Sequence, residues 1–475
     1  MQSNDPQNAP SAPGSKPIAP ALKWSEKLGY ASGDMASCLY FGVFMYFLPA
    51  FYTEVFGLSA GAFATMIFIT RTWDWINDPI MGMIADRTKS RFGKFRPWLL
   101  WVLPFWVGFG VMTFTTFEMG PIAKTVYAYI TYTFLMMAYT AINVPYSALM
   151  GVMTPRSDQR TLLNSFRFFG AFIGVTLVSL TYQRLVIFFG AGNEQLGYSL
   201  TMLVLGILSA ALFIVTFLTT KERVEPPKSQ KQDLKKDLSI AAKNGPWRAL
   251  IVISILTIIW IAIRTGTTVH YFIYVSGNEL WAGTYFAVGG AIQAVAVLLT
   301  KQITALFKGK RRTFVALTLI NAAALVVFYF IPPDNFNLLL IHQIFSAGLT
   351  APLMALFWSM LADTADYGQW KFGHRSTGLI LSTGTSSMKI GWTLGPAIAF
   401  WMLEYTFGFV ANQAQTPETI EGMKLLMSLI PAGVAVITAF AVYFYRIDTK
   451  MEKEMELAIA QQQDVEDEAD RLAST

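Results

Sequence analysis

The chain is short of charge. Only 14% of its 475 residues are Asp, Glu, Lys or Arg, where a soluble domain carries about 25%. So few ionisable groups cannot cover a water-facing surface of this size. Cysteine is nearly absent too: the single thiol, Cys38, has no partner in the chain, so no internal disulfide frames the fold. There is no metal-ligand cluster, no phosphate-cradling glycine loop and no nucleophile spaced usefully from a base. No convergent catalytic set is visible, which argues against an enzyme. The net charge is +6, yet no basic patch is interleaved with aromatic residues, which excludes a base-stacking platform for nucleic acid. Residues 1–22 are rich in Pro, Ala, Ser and Asn and lack an apolar h-region. The segment to residue 26 is expected to be a disordered cytoplasmic tail rather than a cleaved signal.

What the chain has in quantity is apolar length. Apolar residues make up 54% of it, gathered in runs of about twenty or more, enough to cross roughly 30 Å of hydrocarbon. Twelve membrane-spanning helices are expected, at 28–52, 59–86, 97–117, 123–150, 165–189, 197–220, 247–275, 280–303, 313–331, 338–361, 377–405 and 423–445. Loop charge tests this spacing. The even-numbered connections are basic, as at Arg87, Lys89, Arg91, Lys94 and Arg96, while the odd ones carry acids such as Glu54, Glu194 and Glu279. By the positive-inside rule the even loops and both termini face the cytoplasm, with the chain in the inner (cell) membrane. A miscounted helix would break the alternation.

The sixth connection is polar, contains Pro and carries both signs of charge. Residues 221–246 therefore divide a bundle at 27–220 from another at 247–446, and a tail rich in Glu and Gln, expected as a solvated cytoplasmic helix, fills 447–475. The halves echo each other: Pro145 in the fourth span and Pro352 in the tenth are each followed by a charged loop. The implied fold class is an all-α membrane protein of two six-helix pseudo-repeats. That is the pattern of major facilitator transporters, whose substrate site lies near the midplane between the halves. The chain is expected to act as a monomer.

Ionisable residues inside a span are costly and mark candidate sites. They are Asp34, Arg71, Asp74, Asp78, Arg167, Arg264 and Lys389. Asp74 and Asp78 are four apart, which puts both carboxylates on one helix face, with Asn77 on the neighbouring edge. Two carboxylates and an amide oxygen suit a hard cation such as sodium, and the same pair can hold a proton. The alternative is that Arg71 neutralises Asp74 and the group only staples helices. His270 and His342 are lone histidines of the packing kind. Tyr139, Tyr146, Trp73, Trp75 and Trp392 offer faces on which a sugar can stack.

Three segments carry a resemblance: RTWDWINDPIMGMIADRTKSRFGKFRPW from Arg71 to Trp98, INVPYSAL from Ile142, and LADTADYGQWKFGHRSTG from Leu361. With KLGYASGD at Lys27, they make the chain similar to the glycoside–pentoside–hexuronide:cation symporters, the group that includes melibiose permease. The resemblance implies sodium- or proton-coupled symport of a glycoside, oligosaccharide or hexuronide, with no cofactor beyond the coupling ion. It places the cation site on Asp74, Asn77, Asp78 and Thr140. Sugar contacts fall on Tyr139, Asn143, Arg167, Thr385 and Lys389. Asp86, Arg91 and Arg96, with Asp363, Asp366 and Arg375, become cytoplasmic gating charges. Two positions depart from melibiose permease. Its acidic sugar ligand in the first helix aligns with Cys38, and Asp34, one turn earlier, is the substitute candidate. Its acid in the fourth helix aligns with Asn143, so the cation site loses one formal charge. Four cations inside the spans face three acids, an excess that a substrate carboxylate at Arg167 and Lys389 would compensate. A neutral sugar whose hydroxyls those two side chains bind is the other possibility. A sodium-coupled lysolipid carrier of the same architecture and a non-transporting membrane sensor are the alternatives.

Overall fold

Side-chain caps set the helix starts. Ser59, Asn193, Asn244, Asn335 and Thr416 each accept a backbone N–H from the first turn of the helix they precede, satisfying a donor that has no intrahelical partner. The computed structural model describes residues 21–223, 242–373 and 377–459, with 239 and 461, and every regular element among them is helical.

The first half holds six rods. α1 is Trp24–Tyr46 continued by Leu48–Ala50 and Phe51–Val55, α2 is Ala60–Arg87, and α3 is Trp98–Trp101 with Leu103–Thr113. α4 is Pro121–Met153, α5 is Ser157–Gly190 and α6 is Glu194–Thr219. In the second half α7 is Gly245–His270 with Tyr271–Val275, and α8 is Leu280–Ala296 continued to Thr300–Leu306. α9 is Lys310–Tyr329, α10 is Phe336–Phe372, α11 is Thr377–Trp401 with Met402–Thr406, and α12 is Pro417–Met427 with Leu429–Ala441. α1 bends by 54° after Tyr46, where Pro49 supplies no backbone N–H to the ladder.

Helix packing repeats with an offset of six. α1 lies against α5 and α6 as α7 lies against α11 and α12; α2 packs on α4 as α8 packs on α10. The halves meet along two seams, α2 with α11 and α5 with α8. Close approach within each half depends on glycines four apart. A Cβ on Gly170 of α5 would sit 2.2 Å from the Ala31 carbonyl oxygen of α1, and one on Gly174 would sit 2.7 Å from that of Met35. Gly391 and Gly395 of α11 meet α7 in the same way, at Ile258 and Ala262. Small residues at such spacing let helix backbones come together where lipid gives no hydrophobic drive between helices.

Eight of these helices, α4 to α10 and α12, are long and apolar enough to cross a membrane, and the bent α1 makes nine. The other three rods fall short for separate reasons. α3 is short and broken at Val102. α2 carries Arg71, Asp74 and Asp78, and α11 carries Lys389 beside a run of Ser, Thr and Gly from Ser382 to Ser387. The side chains that weaken these two spans are those that build the site described below.

Two expectations change. α10 runs for 37 residues, about 55 Å at 1.5 Å per residue, so Asp363 and Asp366 sit on a helical extension beyond the hydrocarbon, not in a loop. The described part of the tail, to residue 459, does not stand free in solvent, and most of the rest lies outside the described residues. Residues 449–459 are helical, Met455 is buried in the core of the second half, and Glu452 lies 3.8 Å from Lys310.

Candidate functional site

Two acids of α2, a hydroxyl of α4 and an amine of α11 converge at the α2–α11 seam. Thr140 Oγ1 lies 2.6 Å from Asp74 Oδ1 and 3.0 Å from Asp78 Oδ1. Lys389 Nζ lies 3.3 Å from Asp74 Oδ2 and pairs with Asp78 Oδ2. A hydroxyl has one proton to give, so one of the two facing carboxylate oxygens is short of a donor. Asp74 and Thr140 are buried, whereas Asp78 is half-buried and about a third of the Lys389 side chain is exposed. Asn77 is half-buried on the neighbouring edge of α2.

The Arg71–Asp74 staple, the alternative to a cation site, does not form. Arg71 donates Nη1 to the Trp392 carbonyl at 3.1 Å and Nε to Tyr132 at 3.4 Å. The cation beside the acids is Lys389, which the resemblance had placed with the sugar contacts.

A second polar cluster lies wholly in the first half. Arg167 Nε of α5 lies 3.1 Å from Asp34 Oδ2 of α1, and the guanidinium sits over the Tyr146 ring at 5.4 Å. Ser37 donates to Asn143 Oδ1 at 2.6 Å, and Asn143 Nδ2 donates to the Tyr139 carbonyl at 2.9 Å, which fixes the orientation of that amide. Cys38, half-buried, adjoins this group along α1. Thr385 bonds back to the Leu381 carbonyl and presents an exposed face of α11.

The anticipated gating charges lie at the end of the bundle with the basic loops. Asp86 and Arg91 are exposed, and Arg91 covers the Phe92 ring at 4.6 Å. Arg96 donates Nη2 to the Phe217 carbonyl at 2.6 Å, and Asp363 pairs with Lys310 at 2.6 Å; each of these two contacts stays within its own half. Asp366 projects from the same extension of α10 as Asp363, and Arg375 falls outside the described residues. Glu222, which the sequence did not single out, accepts the backbone N–H groups of Lys94, Phe95 and Arg96 at 2.8–2.9 Å.

At the opposite end the halves are latched together. α1, α7 and α11 all finish in a wider π turn, at Phe51–Val55, Tyr271–Val275 and Met402–Thr406, each followed by a left-handed glycine, Gly57, Gly277 and Gly408. These turns carry Glu54, Tyr274 and Glu404. Tyr274 donates to Glu54, and Asn412 donates its side-chain amide to the Glu54 carbonyl at 2.6 Å. His270 lies 2.8 Å from Thr53 and 3.4 Å from Glu54, so it bridges the halves rather than only packing. Glu404 accepts the Gly61 N–H at 2.6 Å. The sequence marked Glu54 only as a loop acid, although a V-x-G closes the first two turns, at Val55 and Val275, and Thr406-Phe407-Gly408 closes the third.

Two six-helix halves around a charged seam define a multi-pass membrane transporter of the major facilitator type. The chain belongs to the MFS/sugar transport protein family, whose model matches residues 29–449. Among its relatives is the inner membrane symporter YicJ of Escherichia coli, 35% identical over 90% of this chain and 93% of that protein. Another is the isoprimeverose transporter of Lactiplantibacillus pentosus, 32% identical over 91% of each chain. The fold resembles that of a bacterial homologue of the human lysosomal transporter Spinster in an inward-facing, unoccupied conformation, with a TM-score of 0.66 at 13% identity over 89% of this chain and 96% of that one. The chain is a transporter and not an enzyme.

Proposed function

We propose that this chain takes up a glycoside, short oligosaccharide or hexuronide together with one monovalent cation, sodium or a proton, by alternating access between its two halves. The observation that carries the coupling is a charge count. Two carboxylates against one ammonium leave one net negative charge in the bonded cluster, since Arg71, which crosses the same seam to the Trp392 carbonyl, pairs with neither acid. One sodium ion among Asp74, Asp78 and Thr140, with Asn77 at the edge, neutralises it through oxygen ligands; one proton does so by titrating the pair. The acids belong to the first half and Lys389 to the second. A cation entering between the carboxylates competes with the bond that joins the halves, so ion occupancy biases the seam toward opening.

The cargo binds beside this seam. Asp34 accepts from sugar hydroxyls and Arg167 donates to them, the Asn143 amide edge and the Tyr139 ring line the approach, and Thr385 and Lys389 face them from the second half. The isoprimeverose transporter among the relatives supports a sugar as cargo. In this reading the chain crosses the inner membrane twelve times and acts as a monomer, with bundles at 27–220 and 247–446, and the basic even-numbered loops support cytoplasmic termini. The Glu54 latch then closes the outer face. Asp86, Arg91 and Arg96, with Asp363, Asp366 and Arg375, close the inner face in the opposite state.

Reconstituted uptake tests this directly. In proteoliposomes, a labelled glycoside should accumulate under either an imposed sodium gradient or an imposed proton gradient. Mere equilibration under both gradients would overturn the coupling.

A further inference from the structure

The second half buries a cation that neither cluster uses. Arg264 of α7 is 9% exposed and has no carboxylate partner among the described residues. Its Nε donates to the Met427 carbonyl at 3.1 Å, Nη1 to Ser346 at 3.3 Å and Nη2 to Tyr285 at 2.9 Å. All three acceptors are neutral. The Met427 carbonyl closes the helix Pro417–Met427, and a helix C-terminus supplies roughly half an elementary negative charge. Apart from the Phe328 ring, over which the guanidinium lies at 5.6 Å, the rest of its charge meets no counter-charge among the described residues, which is unfavourable in a low-dielectric interior. A guanidinium has five N–H groups, and only three of those on Arg264 are engaged.

The same guanidinium lines a cavity of about 80 Å³ in the second half, walled by Trp260 and Thr268 of α7, Tyr285 of α8 and Gln343 of α10, with Tyr46 of α1 reaching it from the first half. One water needs roughly 10–15 Å³ of such space, so the cavity holds more than a single solvent molecule. Trp260 is 1% exposed, its side chain lines this cavity, and its indole Nε1–H has no acceptor among the described residues. An indole can only donate, and a buried donor without a partner is costly. A positive charge and an orphaned N–H thus belong to two side chains that line one cavity, and one bound group could serve both.

We propose that this cavity binds a small anion, a carboxylate or a halide-sized ion, held by Arg264 with the Trp260 indole as second donor. Arg167 and Lys389 are each already paired with an acid, and Arg71, which also bonds only neutral acceptors, does not line this cavity. The anion has two sources. If it is the acid of the cargo, the inference rests on the uptake reading; if it is a free ion, it stands apart from that reading.

Thermal-shift and calorimetric titrations of the purified full chain in low-halide buffer at constant sodium concentration decide it, with choline chloride, choline glucuronate and neutral methyl β-xyloside as probes. Chloride or glucuronate should give a saturable response. Arg264→Gln should weaken it at least tenfold, and Trp260→Phe several-fold. A response to glucuronate alone assigns the anion to the cargo, and a response to chloride assigns it to a free ion. No saturable response to either overturns the proposal. So does an unchanged response in Trp260→Phe, which keeps the test decisive if Arg264→Gln does not fold. The xyloside titration reports the sugar site separately, so loss of that response alone counts against the uptake reading and not against the anion.

Discussion

Lys389 of α11 pairs with Asp78 of α2 across the seam between the halves, a contact between residues 311 positions apart in the chain. The same amine reaches Asp74 at 3.3 Å. One tethered cation thus occupies the position between two carboxylates where a mobile cation would bind. The second half lends the first half a charge, and that loan is withdrawn when the halves part.

The charge count makes a restoring prediction. Asp78→Asn brings the cluster from one net negative charge to zero, and gradient-driven accumulation should fall at least tenfold while sugar counterflow persists. Adding Lys389→Gln to Asp78→Asn returns the count to one net negative charge. The double variant should recover part of the cation dependence that the single variant loses. Counterflow and gradient-driven uptake in the same proteoliposomes measure both. Full accumulation by Asp78→Asn or by Asp74→Asn alone would sink the assignment.

The latch makes a second. Glu54 is bonded by Tyr274 and approached by His270, both from the second half, and Asn412 closes over it. Glu54→Ala should shift the equilibrium toward outer opening by an amount on the order of 1–3 kcal/mol, or roughly 5–150-fold in population. The chain's one cysteine, Cys38, is a native reporter on α1. A membrane-impermeant maleimide added from the outer face should label it faster in Glu54→Ala than in the unaltered protein, and an equal rate would remove the latch from the gating cycle.

Local spacing made some of this architecture readable and hid the rest. Asp74 and Asp78 were legible because four residues is one helical turn, and apolar run length gave most of the rods. The partner of those acids was not legible. Arg71 is three residues from Asp74 in sequence and looked like its counterion, but its guanidinium goes to the Trp392 carbonyl and Tyr132, while Lys389 arrives from the other half. Glu404 and Gly61 bond across 343 positions, and Glu222 meets Phe95 across 127. Nothing in local composition reports pairings set by how two bundles dock. The π turns at Glu54 and Tyr274 are an intermediate case, because the repeated V-x-G was visible but its meaning depended on the helix ends coming together.

Glu222 supports the basic loop after α2. Its carboxylate takes three consecutive backbone N–H groups, at Lys94, Phe95 and Arg96, and charge-assisted bonds of this kind are stronger than neutral ones. Gly93 makes room for it: the residue sits at φ +106°, and a Cβ there would lie 2.4 Å from the Glu222 carboxyl carbon. Glu222→Ala should loosen the loop by about 1–3 kcal/mol, and Gly93→Ala should do the same by a different route. Trypsin cleavage after Lys94 reads this, and both variants should be cut faster than the unaltered protein. An unchanged rate in both would show that the loop is held by other contacts.

The Asp34–Arg167 pair separates a binding role from a stabilising one. Asp34→Asn leaves Arg167 without its carboxylate, and breaking such a pair on one side strands the remaining charge. Arg167 keeps 26% of its side chain exposed, so solvent screens part of that cost and a loss on the order of 2 kcal/mol is expected. Asp34→Asn combined with Arg167→Gln strands no charge, so the double variant should melt closer to the unaltered protein than Asp34→Asn does. It should nevertheless bind sugar no better than either single variant, because both the acceptor and the donor are gone. Arg167→Lys keeps the charge but loses the planar group that lies over Tyr146, and it should weaken sugar binding about tenfold or more. Cation-dependent protection should persist in all four variants, because Asp74, Asp78 and Thr140 are untouched. Calorimetric titration with sugar, run beside thermal melts with and without sodium, supplies each number. Sugar affinity that recovers together with stability in the double variant would show that the pair shapes the first half without touching the cargo.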